Sequence, residues 1–206
     1  MKARLDLRRV LDIPVAYDFF QRITRTREYR RKFMEFVPVP NGGSVLEIGC
    51  GPGTNYEYLP QGREIRYVGC DSDSGYIAHA RSRYRNGAQF FDTPVGGLRS
   101  LGVGPFDVAL AWGLLHHISD AQVRTLAEEL DELIVPAGKF CTFDPCFTSD
   151  QSLLARVLTA CDRGRYVRYP EHYAALLAER FPRIELQTWP PGTVLPFSVA
   201  VIVAAK

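Results

Sequence analysis

The sequence predicts an α/β fold in which a doubly wound, mostly parallel sheet carries helices on both faces. The first observation is a strongly apolar, strand-like run at residues 45–48 that leads directly into a turn with three glycines. The second is that helix-like and strand-like segments alternate through the rest of the chain, a pattern typical of parallel sheets with crossover helices. The 206 residues, 46% of them hydrophobic and 23% charged, have the composition of one globular domain.

The turn after the first strand has the spacing G-x-G-x-G, with Gly49, Gly51 and Gly53. Glycine permits a tight turn in which the backbone comes close to a ligand, so this turn predicts a nucleotide-type cofactor site. Thr54 stands where the dinucleotide fingerprint G-x-G-x-x-G has its third glycine, which argues against NAD. Glu47 indicates the same, because a carboxylate beside the loop repels a diphosphate but suits a cofactor that carries positive charge.

The second strand is expected over residues 65–70 and is followed by Asp71, about 20 residues past the glycines. A doubly wound fold places an acid at this position, over a ribose. The alternative is that Asp71 or Ser72 caps the helix that follows. Residues 89–92 are expected to form a third short strand, whose last residue is again an acid, Asp92.

The fourth strand is expected over Phe106–Trp112. A helix follows, with Asp120 as its expected N-cap. Its apolar face is formed by Val123, Leu126, Leu130 and Leu133. The late strand candidates are residues 184–189 and 199–204.

In this order the segments resemble the class I S-adenosylmethionine-dependent methyltransferases. The first motif of that family has an acid-x-G-x-G-x-G form, as at residues 47–53. The family's segment after strand four resembles residues 113–118, and its L-x-P-G-G turn before strand five resembles residues 133–139, with Ala137 in place of a glycine. The resemblance implies a Rossmann-like, seven-stranded sheet with an antiparallel last strand. It also implies the cofactor S-adenosylmethionine, with S-adenosylhomocysteine as the product, and no metal.

The resemblance further implies which residues bind the cofactor. In the family the acid after the second strand, here Asp71, holds both ribose hydroxyls, and an acid at the position of Asp92 accepts from the adenine amino group. Trp112 offers an aromatic face to a cation or to the adenine, the alternative being an ordinary buried strand end. The expected set is Tyr17, Glu47, Gly49, Cys50, Gly51, Gly53, Asn55, Asp71, Ser72, Asp92, Trp112 and Gly113.

His116 and His117 are the candidate catalytic residues, and His117 is also expected to contact the substrate. Methyl transfer depends mainly on an in-line approach to a methyl group that is already activated. A hydroxyl or ammonium acceptor must also lose a proton, and histidine suits this step because it titrates near neutrality. The alternative is that one ring hydrogen-bonds the backbone or lines the pocket.

Residues 1–43 are expected to form a helical lid segment before the methyltransferase domain at residues 44–206, within one structural domain overall. In small members of the family such a segment folds over the cofactor. Its Tyr17 is expected to contact the methionine carboxylate or the substrate, or else to pin the helix to the core. The basic residues of this segment are expected on a solvated helix face; they are Arg22, Arg25, Arg27, Arg30, Arg31 and Lys32.

A second basic cluster, with Arg165 and Arg168, follows the fifth strand. Open α/β sheets bind ligands beyond the carboxyl ends of their strands, so these two arginines are candidates for a bidentate clamp on an acidic acceptor. The alternative is that they form surface pairs with Glu171 or Asp162.

Charge and cysteine content limit the partners. The net charge of +2 is too small to indicate a nucleic-acid or membrane partner. Five cysteines without C-x-x-C spacing indicate reduced thiols rather than a disulfide framework or a zinc site. The sequence has no apolar run of about 18 residues and no signal-peptide pattern, which predicts a cytoplasmic protein, monomeric or homodimeric.

The sequence thus predicts a methyltransferase for a small-molecule acceptor, with O-methylation slightly favoured. Residues 111–114 lack the N-P-P-Y pattern of enzymes that methylate nucleic-acid bases or glutamine. RNA or protein methylation stays open as an alternative through the two arginine clusters. A second alternative is a protein that binds the cofactor without transferring its methyl group.

Overall fold

The computed structural model describes residues 26–60, 64–160, 164–190 and 198–206. Seven strands form one sheet: Ser44–Ile48 (β1), Arg66–Asp71 (β2), Ala88–Asp92 (β3), Phe106–Trp112 (β4), Ile134–Cys146 (β5), Arg183–Trp189 (β6) and Ser198–Ala205 (β7). Their order is β3-β2-β1-β4-β5-β7-β6. β7 runs antiparallel to both β5 and β6, and the other pairs are parallel. The predicted mostly parallel sheet with an antiparallel last strand is confirmed.

Helices cover both faces of this sheet. The described α-helices are Thr26–Phe36 (α1), Ser74–Arg83 (α2), Asp120–Leu133 (α3), Leu153–Ala160 (α4) and Pro170–Ala178 (α5). Apolar side chains of α3 and α5 pack on one face, and those of α1 and α2 pack on the other. β1 is therefore buried along its whole length, which explains why its apolar residues do not alternate with exposed polar ones. None of the described helices is long and apolar enough to cross a membrane.

Helix α1 lies within the segment that the sequence predicts as a lid. Its Phe33 is fully buried and its Met34 nearly so, in the same core cluster as Phe143 of β5. This helix is therefore part of the hydrophobic core. The lid prediction itself concerns residues up to 43, of which residues 1–25 lie outside the described part of the chain.

The predicted N-cap of α3 is wrong by one residue. Ser119 is the cap: its Oγ accepts from the backbone N–H of Gln122, and the Gln122 side chain accepts in return from the Ser119 backbone N–H. This reciprocal arrangement satisfies two helix-end donors. Asp120 is instead the first helical residue, and its carboxylate is available to pair with Arg168.

The expected turn before strand five lies inside β5. Phe106 pairs with Ile134, but the next pair joins Val108 to Lys139, so β5 contains a bulge at this point. Ala137 lies in the bulge with a φ of 65°, in the left-handed region. This conformation explains why the similar turns of the family have glycine, since a Cβ is strained there.

We expect Ala137→Gly to raise the free energy of unfolding by about 0.5–1 kcal/mol. The substitution relieves a left-handed strain of about 1–2 kcal/mol, offset in part by the greater entropy of glycine in the unfolded chain. Urea denaturation of the two proteins measures this difference. Ala175→Gly, at an exposed position within α5, is the matched control and should lower stability by a similar amount. Equal destabilisation by both substitutions would contradict the strain argument.

Candidate functional site

The glycine turn connects β1 to a short 3-10 helix, Thr54–Tyr58, at the carboxyl edge of the sheet. Gly49, Gly51 and Gly53 have φ angles of 69°, 52° and 77°, so each adopts a left-handed conformation. A Cβ at Gly53 would press within 2.9 Å of the Tyr84 and Phe90 rings, whereas one at Gly51 would meet nothing within 4 Å. Gly53 is therefore needed because the Tyr84 and Phe90 rings pack against it, whereas Gly51 borders open space that a ligand can enter.

Asp71 ends β2 beside this turn. Its Oδ2 accepts from the Gly51 backbone N–H at 2.8 Å and its Oδ1 from the Asp73 N–H at 2.9 Å. Partial burial raises the pKa of Asp71, and these backbone hydrogen bonds oppose that rise. The exposed Asp92 lies directly opposite Asp71 on β3. Two carboxylates thus stand side by side at the edge of the sheet, next to the open space at Gly51.

The alternative in which Asp71 or Ser72 caps the following helix is wrong. Asp73 is the cap of α2, because its Oδ1 accepts from the Tyr76 N–H at 2.9 Å. Ser72 is exposed on the connection. Asp71 is therefore not occupied by helix capping.

Glu47 is fully buried beneath the turn. Its Oε1 accepts from Asn55 Nδ2 at 2.6 Å, and its Oε2 accepts from the Tyr67 hydroxyl. Burial raises the pKa of Glu47 to about 7, although both hydrogen bonds and the nearby Arg30 act to lower it. Because Glu47 and Asn55 are both buried, they support the glycine turn from inside the protein.

Arg30 departs from the expected solvated helix face. It is only 3% exposed, and its guanidinium donates to Asn55 Oδ1. The guanidinium carbon of Arg30 also lies 4.7 Å from the centroid of the Trp112 ring. The Trp112 ring is stacked on Phe143, with 3.9 Å between the ring centroids. The aromatic face that Trp112 was expected to offer to a bound cation is therefore occupied by the protein's own arginine.

The segment after β4 begins at Gly113, whose φ of 67° turns the chain and whose N–H donates to the Phe143 carbonyl at 2.7 Å. His116 then lies in a short 3-10 helix and is buried. His117 is exposed. The two predicted catalytic histidines therefore occupy different environments, although their ring centroids are 4.0 Å apart.

Asp144 of β5 is the partner of His116. The ring Nδ1 lies 2.8 Å from Asp144 Oδ1, and the backbone N–H of His116 donates to the same oxygen at 3.1 Å. Asp144 is 1% exposed, and burial raises its pKa while the interactions with His116 lower it. Its Oδ2 has no hydrogen-bond partner among the described residues. Sequence reasoning missed Asp144, although an acid within the apolar run of β5 was the available signal.

The contacts of Arg168 differ from the predicted clamp on an acidic acceptor. Its guanidinium donates to Asp120 Oδ1 at 2.7 and 2.8 Å and to three backbone carbonyls, those of Leu115, Ile118 and Tyr166. All five of its N–H groups are therefore used within the protein. Arg168 therefore holds the turn that carries His116. Its carboxylate partner is Asp120 and not Glu171, while Asp162 lies outside the described residues.

The other predicted residues are placed as follows. Arg165 is exposed. Cys50 is buried, as are Cys70, Cys141 and Cys146, and all four are free thiols. Tyr17 and Cys161 lie outside the described residues. Within the described residues, no group of three or more His, Cys, Asp or Glu side chains is arranged to hold a metal ion.

Comparisons with known proteins agree with this geometry. A family model described as a methyltransferase domain matches residues 45–138. An uncharacterised 37.1 kDa protein in a transposon of Streptomyces fradiae is 29% identical over 130 residues, which span 60% of this chain and 36% of that protein. This chain therefore corresponds to about a third of that relative.

Solved structures of other proteins share the fold. The cyclopropane synthase MmaA2 from Mycobacterium tuberculosis has a TM-score of 0.69 at 13% identity, over 87% of this chain and 83% of its own. Human N-acetylserotonin methyltransferase, in complex with S-adenosylmethionine, has a TM-score of 0.68 at 16% identity, over 100% of this chain and 60% of its own. Residues 45–138 therefore match a methyltransferase domain, and the chain shares the fold of a methyltransferase solved with S-adenosylmethionine bound.

Proposed function

We propose that the protein transfers the methyl group of S-adenosylmethionine to a hydroxyl of a small-molecule acceptor, with His116 as the general base. The observation that carries this proposal is the buried contact of 2.8 Å between His116 Nδ1 and Asp144 Oδ1. The pair lies where β4 and β5 end, at the same edge of the sheet as the glycine turn. A histidine oriented by a buried carboxylate is the usual arrangement of a general base.

The residues at the glycine turn fit the cofactor. The open space at Gly51 admits a ligand against the backbone, and Asp71 next to it has acceptor capacity left for ribose hydroxyls, since each carboxylate oxygen has two lone pairs. In this proposal Asp92, which is exposed on the neighbouring strand, accepts from the adenine amino group. When bound, S-adenosylmethionine supplies a methyl group on a positively charged sulfur, which needs no further activation by the protein.

The acceptor hydroxyl must also lose its proton when its oxygen takes up the methyl group. In this role Asp144 orients the His116 ring through Nδ1, and Nε2 is the ring nitrogen that takes up the proton of the acceptor. As the ring becomes charged, the Asp144 carboxylate stabilises it. Arg168 holds the carbonyls of Leu115 and Ile118 on either side of the histidine pair, so the ring has a fixed position before the acceptor arrives.

RNA or protein methylation has less support than a small acceptor. That alternative relied on two arginine clusters, and the structure engages Arg30 and Arg168 in contacts inside the protein. An internal arginine does not contribute to a phosphate-binding surface.

Calorimetry with S-adenosylmethionine, S-adenosylhomocysteine and, as a control, NAD tests the cofactor. We expect the first two to bind and NAD not to bind. Release of S-adenosylhomocysteine is then measured with a panel of phenols, alcohols, amines and carboxylic acids. Turnover with hydroxyl compounds supports O-methylation, and turnover with amines alone would overturn it. Cofactor binding without turnover across the panel would instead favour a protein that binds the cofactor without methyl transfer.

We expect Asp71→Ala to weaken the binding of S-adenosylmethionine by about 1–3 kcal/mol, the typical loss for hydrogen bonds to a charged group. Calorimetry measures the change, and circular dichroism checks that the variant is folded. Asp73→Ala is the matched control, because it removes a carboxylate two residues away that caps α2. This control should lower stability without changing cofactor affinity. Wild-type affinity in folded Asp71→Ala would reject the ribose assignment.

A further inference from the structure

We propose that an open cleft beside the ends of β5 and β6 binds the acceptor, and that the acceptor is an uncharged molecule rich in hydroxyl groups. This inference rests on the proposed function, because it names the substrate class for the same site. The cleft has a volume of about 680 Å³, within the usual range for small-molecule sites. It is lined by Thr148, Ser149, Asp150, Gln151, Ser152, Ala155, Thr188, Pro190 and Ser198.

The strand register places this cleft beside the His116–Asp144 pair. Asp144 of β5 lies opposite Ala200 of β7, which lies opposite Thr188 of β6. Paired residues share a face of the sheet, and neighbouring strands are about 4.8 Å apart, so Thr188 lies about 10 Å from Asp144 on the same face. Ser198 is closer still, because it pairs with Cys146, two residues beyond Asp144 on that face. An acceptor that fills the cleft therefore extends toward the proposed base.

The polar groups of the lining determine what the cleft can bind. Five of its side chains are hydroxyls and one is an amide, and these groups can both donate and accept hydrogen bonds. The charged side chain among the described lining residues is a carboxylate, that of Asp150. Among the described lining residues an anionic acceptor would meet this negative charge and no cation, whereas a neutral polyol finds several partners. This chemistry replaces the clamp on an acidic acceptor that Arg168 was expected to provide.

Part of the lining is already held in position. Gln151 donates from Nε2 to Thr159 Oγ1 at 2.8 Å, and the Thr159 hydroxyl in turn donates to the Ala155 carbonyl at 2.8 Å. Thr159 is fully buried, so this arrangement fixes the amide against helix α4. Polar groups held in advance lose less entropy when a ligand binds.

Ligand-observed NMR with phenyl β-glucoside and phenyl β-glucuronide tests the inference. The two probes share a skeleton and differ in one carboxylate, and both are added to the protein with S-adenosylhomocysteine present. We expect the glucoside to bind at least about tenfold more tightly than the glucuronide. Thr188→Val and Ser198→Ala should each weaken glucoside binding by about three- to tenfold, the usual effect of one lost hydrogen bond. Thr125→Val, the same kind of change on the distant helix α3, should have no effect.

Preference for the glucuronide, binding of neither probe, or glucoside binding unchanged in both cleft variants would overturn the inference. Turnover is scored separately, as release of S-adenosylhomocysteine when S-adenosylmethionine replaces it. Glucoside binding that is lost in the cleft variants, without turnover of any acceptor, would retain the cleft and reject the proposed methyl transfer. Turnover of carboxylic acids that is unchanged in the two cleft variants would reject the cleft as the acceptor site and would still support the methyl transfer.

Discussion

Replacing His116 with asparagine should lower kcat about 100- to 10,000-fold, the range for loss of a general base. Asparagine keeps an N–H near the position of ring Nδ1, so Asp144 retains a donor and is not left buried without a partner. What the substitution removes is the ring nitrogen Nε2, which takes up the acceptor proton in the proposed role. Cofactor affinity should stay near the wild-type value, because His116 is not among the residues expected to bind S-adenosylmethionine. Steady-state kinetics and calorimetry on one preparation measure both quantities.

His117→Asn is the matched control, since it makes the same change at the exposed neighbour. It should affect kcat far less. If His117→Asn carries the large loss and His116→Asn does not, the base has been assigned to the wrong ring. Wild-type kcat in both single variants and in the double variant would remove general-base catalysis from the proposal.

Asp144→Asn separates a positioning role from a purely structural one. In the proposed arrangement Asp144 acts only through His116, so the double variant His116→Asn/Asp144→Asn should have about the kcat of His116→Asn alone. A merely structural role would give losses that add in the double variant.

The sequence predicted the first strands and the glycine turn well because the signals there are local. A fully buried parallel strand is rich in apolar residues, and a left-handed turn favours glycine, so β1 and Gly51 are recognisable without knowing what packs around them. Asp71 is recognisable for the same reason, because it ends the next strand about 20 residues past the glycines. These features survive in the structure with shifts of one residue at the strand ends.

The residues that sequence reasoning misjudged are those whose role depends on distant partners. Arg30 is one of several basic residues in its helix, and only the position of Asn55 and Trp112 makes it buried. Arg168 resembles a surface arginine until Asp120 and the carbonyls of the His116 turn are placed around it. Helical periodicity does not distinguish a solvated arginine from one that reaches a buried acceptor.

Glu47, which supports the glycine turn from inside the protein, is another residue whose role depends on distant partners. Its burial makes the stability of the protein depend on pH. Glu47 has an ordinary pKa of 4.5 in the unfolded chain and about 7 in the folded protein. Between these values the folded protein keeps a proton that the unfolded chain has lost. Since stability rises with pH only where the unfolded state binds more protons, this group makes the free energy of unfolding fall as pH rises from about 4.5, with no further change above about 7.

Glu47→Gln removes this titration. The free energy of unfolding of the wild type minus that of the variant should therefore fall by about 3 kcal/mol from pH 4 to pH 8. Glutamine fits the site because its oxygen can accept from Asn55 while its NH₂ donates to Tyr67, whose hydroxyl can also accept. Urea denaturation of both proteins across this range measures the difference. Glu57→Gln, at an exposed glutamate that pairs with Arg83, reports the effect of losing one carboxylate and its ion pair at the surface. Parallel curves for the wild type and Glu47→Gln would show that the hydrogen bonds from Asn55 and Tyr67, together with Arg30, fully offset the burial of the carboxylate.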